Sequence, residues 1–99
     1  MYSRKVRGIK DTTYNVFERI GGAEAMTPPF LPKVFSNDLY VHRWSGGIRA
    51  WMFRADGWRE LREGDVHPMF SDRRFFVRQS EPPRWLKQGT YSRKWRKRP

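Results

Sequence analysis

The supply of core-forming side chains limits this chain to one small fold. Leu, Ile, Val and Phe together number 20 among 99 residues, against a net charge of +11, a composition at the edge of that expected for disorder. Five Trp, four Tyr and seven Phe offset the shortage, because each aromatic side chain buries about 150–250 Å². We therefore expect a small aromatic-rich body whose surface a partner completes; the alternative is that Trp rings pack under Arg side chains of the chain itself.

The C-terminal end is the most one-sided segment of the chain. Residues 84–99 contain seven Lys or Arg and no Asp or Glu, with Trp85, Tyr91 and Trp95 set between the charges. Self-repulsion and the lack of aliphatic side chains predict a solvated, extended tail over residues 81–99. We expect this tail to take its shape by neutralising an external polyanion.

Positive charge is concentrated at the two ends of the chain. Residues 68–99 carry ten Lys or Arg against two Asp or Glu, whereas residues 34–67 carry five of each. A second, smaller basic arm covers residues 1–10 and contains Arg4, Lys5, Arg7 and Lys10. Arg outnumbers Lys fifteen to six, and the planar guanidinium contacts phosphate through two N–H groups and stacks on bases. This pattern is typical of a polyanion-binding protein.

Residues 11–80 are expected to form the body. Residues 11–13 offer N-cap oxygens to a short helix over residues 14–20, and the two glycines that follow supply a left-handed stop. The Pro-rich connector over residues 27–32 must be extended, because each proline fixes φ and biases its predecessor away from helix. The connector serves as a spacer or as a docking strip.

A change of hydrophobic period marks the middle of the body. Between residues 39 and 62 apolar side chains alternate, and Gly-containing turns divide a meander of short strands. Residues 75–79 are expected to add a last strand. The predicted fold class is a small α+β protein with a short N-terminal helix, a small antiparallel β-meander and extended basic N- and C-terminal arms. The alternative is a mainly extended chain with a central helix over residues 48–62, where apolar residues also recur at helical spacing.

The chain is poorly supplied with catalytic groups. The serines, aspartate and histidine within residues 36–45 lack a nucleophile-elbow motif, there is no Cys, and the spacing of His42 and His67 matches no metal-binding pattern. Phosphate-cradling glycine motifs are absent as well. We expect a non-catalytic protein with no cofactor, no metal and no small-molecule substrate. The longest apolar run, residues 50–53, is too short to cross a bilayer, so no transmembrane segment is expected.

Positive charge interleaved with aromatic rings is typical of RNA binding. Lys and Arg contact phosphates, aromatic rings stack on unpaired bases, and folded RNA presents both targets together. The predicted RNA-binding residues are Arg4, Lys5, Arg7, Lys10, Arg73, Arg74, Arg78, Arg84, Trp85, Lys87, Tyr91, Arg93, Lys94, Trp95, Arg96, Lys97 and Arg98.

A compact aromatic body with basic extensions is typical of small structural proteins of ribosomes. We predict a structural component that binds rRNA and neighbouring ribosomal proteins. Abundant Trp and Arg with few aliphatic residues favour the mitochondrial ribosome as the location. If the protein is not mitochondrial, we expect it in another intracellular ribonucleoprotein. The alternative is a non-catalytic accessory subunit of a large protein assembly such as a respiratory complex, where the tail would contact acidic subunits or anionic lipid. A DNA-binding protein is less well supported, because no groove-reading helix is recognisable.

Overall fold

The computed structural model describes residues 2–6, 12–24, 27–31 and 33–96, with the backbone alone at residue 5 and residues 94–96. The chain divides into two compact units, Met1–Leu61 and Arg62–Pro99. The first unit is built on a five-stranded sheet, and the second contains a two-stranded sheet followed by a helix.

The sheet of the first unit is mixed. Its strands are β1 (Tyr2–Lys5), β2 (Thr13–Ile20), β3 (Leu39–Trp44), β4 (Gly47–Arg54) and β5 (Gly57–Leu61). They lie side by side in chain order. The pair β2–β3 is parallel, whereas the other three pairs are antiparallel. A parallel pair cannot be closed by a tight turn, so the chain between β2 and β3 forms a long crossover.

One face of this sheet holds the aliphatic core. Val16 lies opposite Leu39, which lies opposite Met52, and Val41 lies opposite Ala50. All five side chains are at most 2% exposed. Full burial of a Val, Leu or Met side chain stabilises the fold by about 1.5–3 kcal/mol, so the few aliphatic residues of the chain are used where strands meet at the centre of the sheet.

The opposite face carries aromatic rings that pack on one another. Tyr40 lies across from Trp51 with ring centroids 5.9 Å apart, and it also contacts Trp58 at 6.2 Å. Phe53 meets the same Trp58 ring at 5.2 Å. The Arg49 guanidinium lies 5.4 Å from the Trp51 ring centre. One alternative expected from the sequence is that Trp rings pack under Arg side chains of the chain itself. The structure shows this arrangement for Trp51.

The crossover is fastened at both of its ends. At its start, His42 Nε2 donates a hydrogen bond to the Gly21 carbonyl at 2.7 Å. At its end, the buried Asp38 carboxylate accepts hydrogen bonds from the Asn15 backbone, the Asn15 side-chain amide and the Phe35 backbone, at 3.0, 3.2 and 3.0 Å. The hydrogen bonds offset the desolvation cost of these buried polar groups and hold the two ends of the crossover in place.

The second unit is a β-hairpin followed directly by a helix. Strands β6 (Arg73–Arg78) and β7 (Glu81–Lys87) pair antiparallel, and α1 (Gln88–Arg96) follows. Phe75 lies opposite Trp85, with ring centroids 5.2 Å apart and at most 3% of either residue exposed. This aromatic pair is the centre of the unit's core.

The prediction of an N-terminal helix is wrong. Residues 14–20 belong to β2, in which Tyr14 and Val16 are buried and Asn15 between them is only half-buried, a period of two. Ile20, expected on the buried stripe of a helix, is 79% exposed. Ladder pairing with strands on both sides supplies the backbone partners of β2 and outweighs the local capping signal.

The predicted fold class is also wrong in its middle part. Strands lie within residues 39–62, as β3 to β5, but they belong to a mixed sheet because β2 joins them in parallel. The alternative of a helix over residues 48–62 is wrong as well. Gly57 with φ of 111° follows the turn between β4 and β5, and this left-handed region interrupts a helix.

The predictions for the last strand and the two arms are corrected too. The strand expected at residues 75–79 overlaps β6, Arg73–Arg78, which pairs with β7 in a separate sheet. The arms are not simply extended, because residues 2–5 form the edge strand β1 and residues 81–96 form β7 and α1. Strand β7 forms since Pro83 and Trp85 alternate into the interior of the hairpin. Residues 7–10 and 97–99 lie outside the described residues.

Candidate nucleic-acid interface

The second unit gathers most of the predicted RNA-binding residues. Strand β6 carries Arg73, Arg74 and Arg78, strand β7 carries Arg84, Trp85 and Lys87, and helix α1 carries Tyr91, Arg93, Lys94, Trp95 and Arg96. Side chains are described as far as residue 93, and Lys97 and Arg98 lie outside the described residues. The described side chains differ greatly in what they contact.

Two of the predicted cations lie over one buried ring. The guanidinium carbon of Arg78 is 4.1 Å from the Phe76 ring centre, and that of Arg84 is 5.4 Å away. Arg78 also pairs with Glu63, and Arg84 pairs with Glu81 at 2.6 Å. Each guanidinium therefore contacts both a carboxylate and an aromatic face within its own unit. Because the carboxylate neutralises its charge, its attraction for an external anion is weaker.

Two further cations are tied into the hairpin. Arg73 is 2% exposed and pairs with Asp72 at 2.6 Å. Arg74 donates from Nε to the Gln88 side-chain carbonyl at 2.6 Å and from a terminal nitrogen to the Gly64 carbonyl at 3.0 Å. A buried guanidinium is costly to leave without a partner, and the partner of Arg73, Asp72, is largely exposed, so Arg73 is a structural side chain that is not free to contact an external phosphate.

The aromatic side chains of the predicted site are used in packing. Trp85 is 3% exposed, and its ring lies 5.2 Å from Phe75 and 4.5 Å from His67. Tyr91 is half-buried and meets the Phe76 ring edge-on at 6.5 Å. Stacking on a base needs an open ring face, and Trp85 presents none.

Two cations point away from the unit. Lys87 at the end of β7 and Arg93 in α1 are exposed, and the one contact described for Arg93 is with the Thr90 hydroxyl at 3.5 Å. Neither forms an ion pair with a residue that the structure describes. We call residues 87–96 the cationic segment, because Lys94 and Arg96 belong to the same helix.

The predicted N-terminal site is only partly described. Arg4 and Lys5 lie in the edge strand β1, where Arg4 is half-buried and sits opposite Tyr14. Arg7 and Lys10 lie outside the described residues. The structure therefore places two of these four cations at one edge of the first sheet.

A charged cluster that sequence reasoning missed lies on the same sheet. Arg43 pairs with Glu18 at 2.9 Å, and the Tyr2 hydroxyl donates a hydrogen bond to the other oxygen of this carboxylate. Burial, together with the hydrogen bond to Glu18, raises the pKa of the Tyr2 phenol above its ordinary value. The cluster joins β1, β2 and β3, which is a structural role.

A second missed cluster crosses β4 and β5. Arg49 donates from two nitrogens to both oxygens of Glu60, at 2.9 and 3.0 Å, and it pairs with Glu24 at 3.1 Å. The hydrogen bond to Glu60 raises the pKa of Arg49. The side chains of Arg49 and Glu60 lie on one face of the β4–β5 hairpin. Counting residues outward from the turn that joins β4 and β5 predicts the strand register and would have revealed this pair.

The side chains considered for catalysis or metal binding have structural partners. Asp38 and His42 are buried against backbone groups, and His67 Nδ1 accepts the Met69 backbone N–H at 3.0 Å. Within the described ranges, no group of three His, Cys, Asp or Glu is placed to hold a metal ion. Among the helical residues described, no helix has the length and apolar character needed to span a membrane.

Comparison with known proteins adds no assignment. No protein-family model, curated protein or solved structure matches this chain. The charge and contacts of the second unit are therefore the basis for a functional proposal.

Proposed function

We propose that the protein is a structural, RNA-binding component of a ribosome that contacts rRNA and neighbouring ribosomal proteins. The observation that carries this proposal is a surplus of positive charge. The second unit, Arg62–Pro99, contains eleven Lys or Arg and four Asp or Glu. Each of these carboxylates has a partner within the unit: Glu63 with Arg78, Asp72 with Arg73, Glu81 with Arg84, and Asp65 with the Arg62 backbone N–H.

Much of the surplus falls on the cationic segment, which contains Lys87, Arg93, Lys94 and Arg96 and no carboxylate. A polyanion gains affinity from such a segment because each phosphate contact releases a counterion. Helix α1 holds the charges on an ordered backbone, so less conformational entropy is lost on binding than for a flexible tail. Among ribosomes, the Trp-rich and Arg-rich composition favours the mitochondrial one.

The proposal is tested by sedimentation of the tagged protein from a gently lysed extract. We expect the protein to travel with a heavy particle and to move to light fractions after nuclease treatment. The double variant Lys87→Gln/Arg93→Gln should leave the particle at lower salt than wild type. The matched control Lys33→Gln/Arg59→Gln removes two exposed cations of the first unit and should behave as wild type. A particle that keeps the protein after nuclease would contradict RNA binding.

Exposed apolar side chains of the first unit favour a second candidate, an accessory subunit of a large protein assembly. Phe30 in the Pro-rich connector is 92% exposed, Phe35 is 66% exposed and Ile20 is 79% exposed. Aromatic residues such as Phe are enriched at protein–protein interfaces, so Phe30 and Phe35 are available to contact a protein partner. This candidate would be supported over the first if the protein stayed with its particle after nuclease treatment and the variant Phe30→Ser no longer did.

A further inference from the structure

We propose that the cationic segment binds base-paired RNA through its phosphates and without stacking on bases. The inference rests on the proposed function, because it takes RNA as the partner, and it goes further by choosing the form of RNA. Lys87 and Arg93 are the described side chains that carry it.

The first argument is that the aromatic side chains described in the second unit are engaged in packing within that unit. Proteins that bind single-stranded RNA hold splayed-out bases on open aromatic faces. Trp85 is enclosed by Phe75 and His67, and Phe76 is 4% exposed beneath two guanidinium groups. Tyr91 packs its ring against Phe76. The aromatic side chains described in this unit therefore contribute to its core, while the exposed side chains of the segment contribute charge.

The second argument is that the segment is held on a fixed backbone. The Gln88 N–H donates to the Asp72 carbonyl at 2.8 Å, and the Gln88 side chain accepts from Arg74 at 2.6 Å. The nine-residue helix that follows rises about 13 Å at 1.5 Å per residue. Lys87, at the end of β7, and Arg93, in α1, thus lie on two consecutive elements whose junction these hydrogen bonds hold in place.

A fixed array of cations is complementary to a fixed array of phosphates. Base-paired RNA offers such an array, with 2′-hydroxyls and phosphates on an A-form helix whose deep, narrow major groove keeps side chains away from the base edges. An unpaired strand would have to be ordered on binding, and the buried rings of Phe75, Phe76 and Trp85 offer no stacking face to compensate for that ordering. Binding should consequently depend on RNA shape and salt but not on base sequence.

The test measures binding of the full chain by fluorescence anisotropy to three labelled probes of equal phosphate number. The probes are an RNA hairpin, an unstructured oligouridine and a DNA duplex. At about 0.1 M salt we expect the hairpin to bind ~10-fold more tightly than oligouridine, and a hairpin with permuted base pairs to bind equally well. The variant Trp85→Phe should keep the wild-type affinity for the hairpin.

Charge variants locate the binding on the segment. Lys87→Gln/Arg93→Gln should weaken hairpin binding by ~10-fold or more and reduce the slope of log affinity against log salt by about two, one for each phosphate contact. The matched control Lys33→Gln/Arg59→Gln should leave that slope unchanged. Circular dichroism checks that each variant is folded, and the wild-type preference for the hairpin tests the proposal independently of any variant.

The outcomes separate this inference from the proposed function. Oligouridine that binds as tightly as the hairpin, with quenching of Trp fluorescence or a large loss in Trp95→Leu, would overturn the inference and leave RNA binding in place. Failure of both RNA probes to bind would overturn the proposed function. Equal binding of the DNA duplex would overturn the choice of RNA over DNA. A charge-dependent preference for the hairpin supports both proposals.

Discussion

Asp38 accepts two hydrogen bonds from a single residue, Asn15, whose backbone N–H lies 3.0 Å and whose side-chain amide lies 3.2 Å from the carboxylate oxygens. A third hydrogen bond comes from the Phe35 backbone at 3.0 Å. Asp38 is 2% exposed, so water contributes little to its solvation. This one carboxylate fastens the end of the crossover to β2, beside the parallel strand pair.

Replacing Asp38 with Asn should destabilise the first unit strongly. The substitution puts an NH₂ group where the surrounding donors need an acceptor, and we expect the free energy of unfolding to fall by about 3 kcal/mol. Urea denaturation measures the change. Asp56→Asn, at an exposed carboxylate, is the control and should leave the denaturation midpoint nearly unchanged. Similar midpoints for the two variants would contradict the role assigned to Asp38.

The titration of Asp56 should report its contact with Arg59. The hydrogen bond from Arg59, 3.1 Å long, lowers the pKa of Asp56 below its ordinary value of 3.8. A lowered pKa means that the interaction is present above the unfolded pKa and is lost as pH falls through the folded one. Carbon-13 NMR of the carboxyl group should show the pKa rising toward 3.8 in Arg59→Gln and unchanged in Lys33→Gln. An identical titration in all three proteins would rule out the contact in solution.

Alkaline pH should weaken the link between Tyr2 and Glu18. The pKa of Tyr2 is raised above its ordinary value of 10.0 by burial and by the Glu18 hydrogen bond. Stability from this group is therefore complete below about pH 10 and is lost as pH rises through the folded pKa. Denaturation midpoints measured from about pH 9 to 11.5 should fall more steeply for wild type than for Tyr2→Phe. Parallel curves would show that the phenol does not titrate with folding.

Ala substitutions at two glycines with positive φ should distinguish backbone strain from steric crowding by a neighbouring side chain. Gly57 has φ of 111° and open space where a Cβ would stand, whereas a Cβ at Gly64, φ of 92°, would lie 2.9 Å from the Tyr91 hydroxyl. We expect either Ala substitution to cost about 1 kcal/mol through backbone strain, and Gly64→Ala to cost more. Adding Tyr91→Phe should remove the excess, which a double-mutant cycle measures. An additive cycle would mean that helix α1 does not press on this turn.

The parts of the fold that depend on local signals could be predicted from the sequence. Gly46 lies in the turn before β4 and Gly57 directly follows the turn before β5, and alternation of apolar side chains marks the strands on either side. The place of β2 could not be found in this way, because its parallel partner is reached through Asp38, 23 positions from Asn15. Alternation of Tyr14 and Val16 was a correct signal for a strand, but the neighbouring N-cap oxygens indicated a helix.

The candidate site shows the same division. Arg84 and Glu81 are three positions apart and their ion pair can be suspected from spacing alone. The pairing of Arg78 with Glu63 depends on how the chain returns to the hairpin, which composition does not reveal. The alternation of Pro83 with Trp85 buries that ring, whereas the surrounding charge led to the prediction of a solvated tail. Charge indicated the class of partner, whereas only the packing shows which cations remain exposed.

The parallel pairing of β2 with β3 has a consequence during synthesis of the chain. Strands β3 to β5 can close as soon as they leave the ribosomal exit tunnel, because short turns join them. The earlier β1–β2 hairpin must wait for the whole crossover and β3 to emerge before Tyr14 and Val16 find their cover, and an isolated two-stranded hairpin is marginal in water. We therefore expect nascent chains to be most exposed to chaperones and proteases in the interval between the emergence of residue 20 and that of residue 44 from the tunnel.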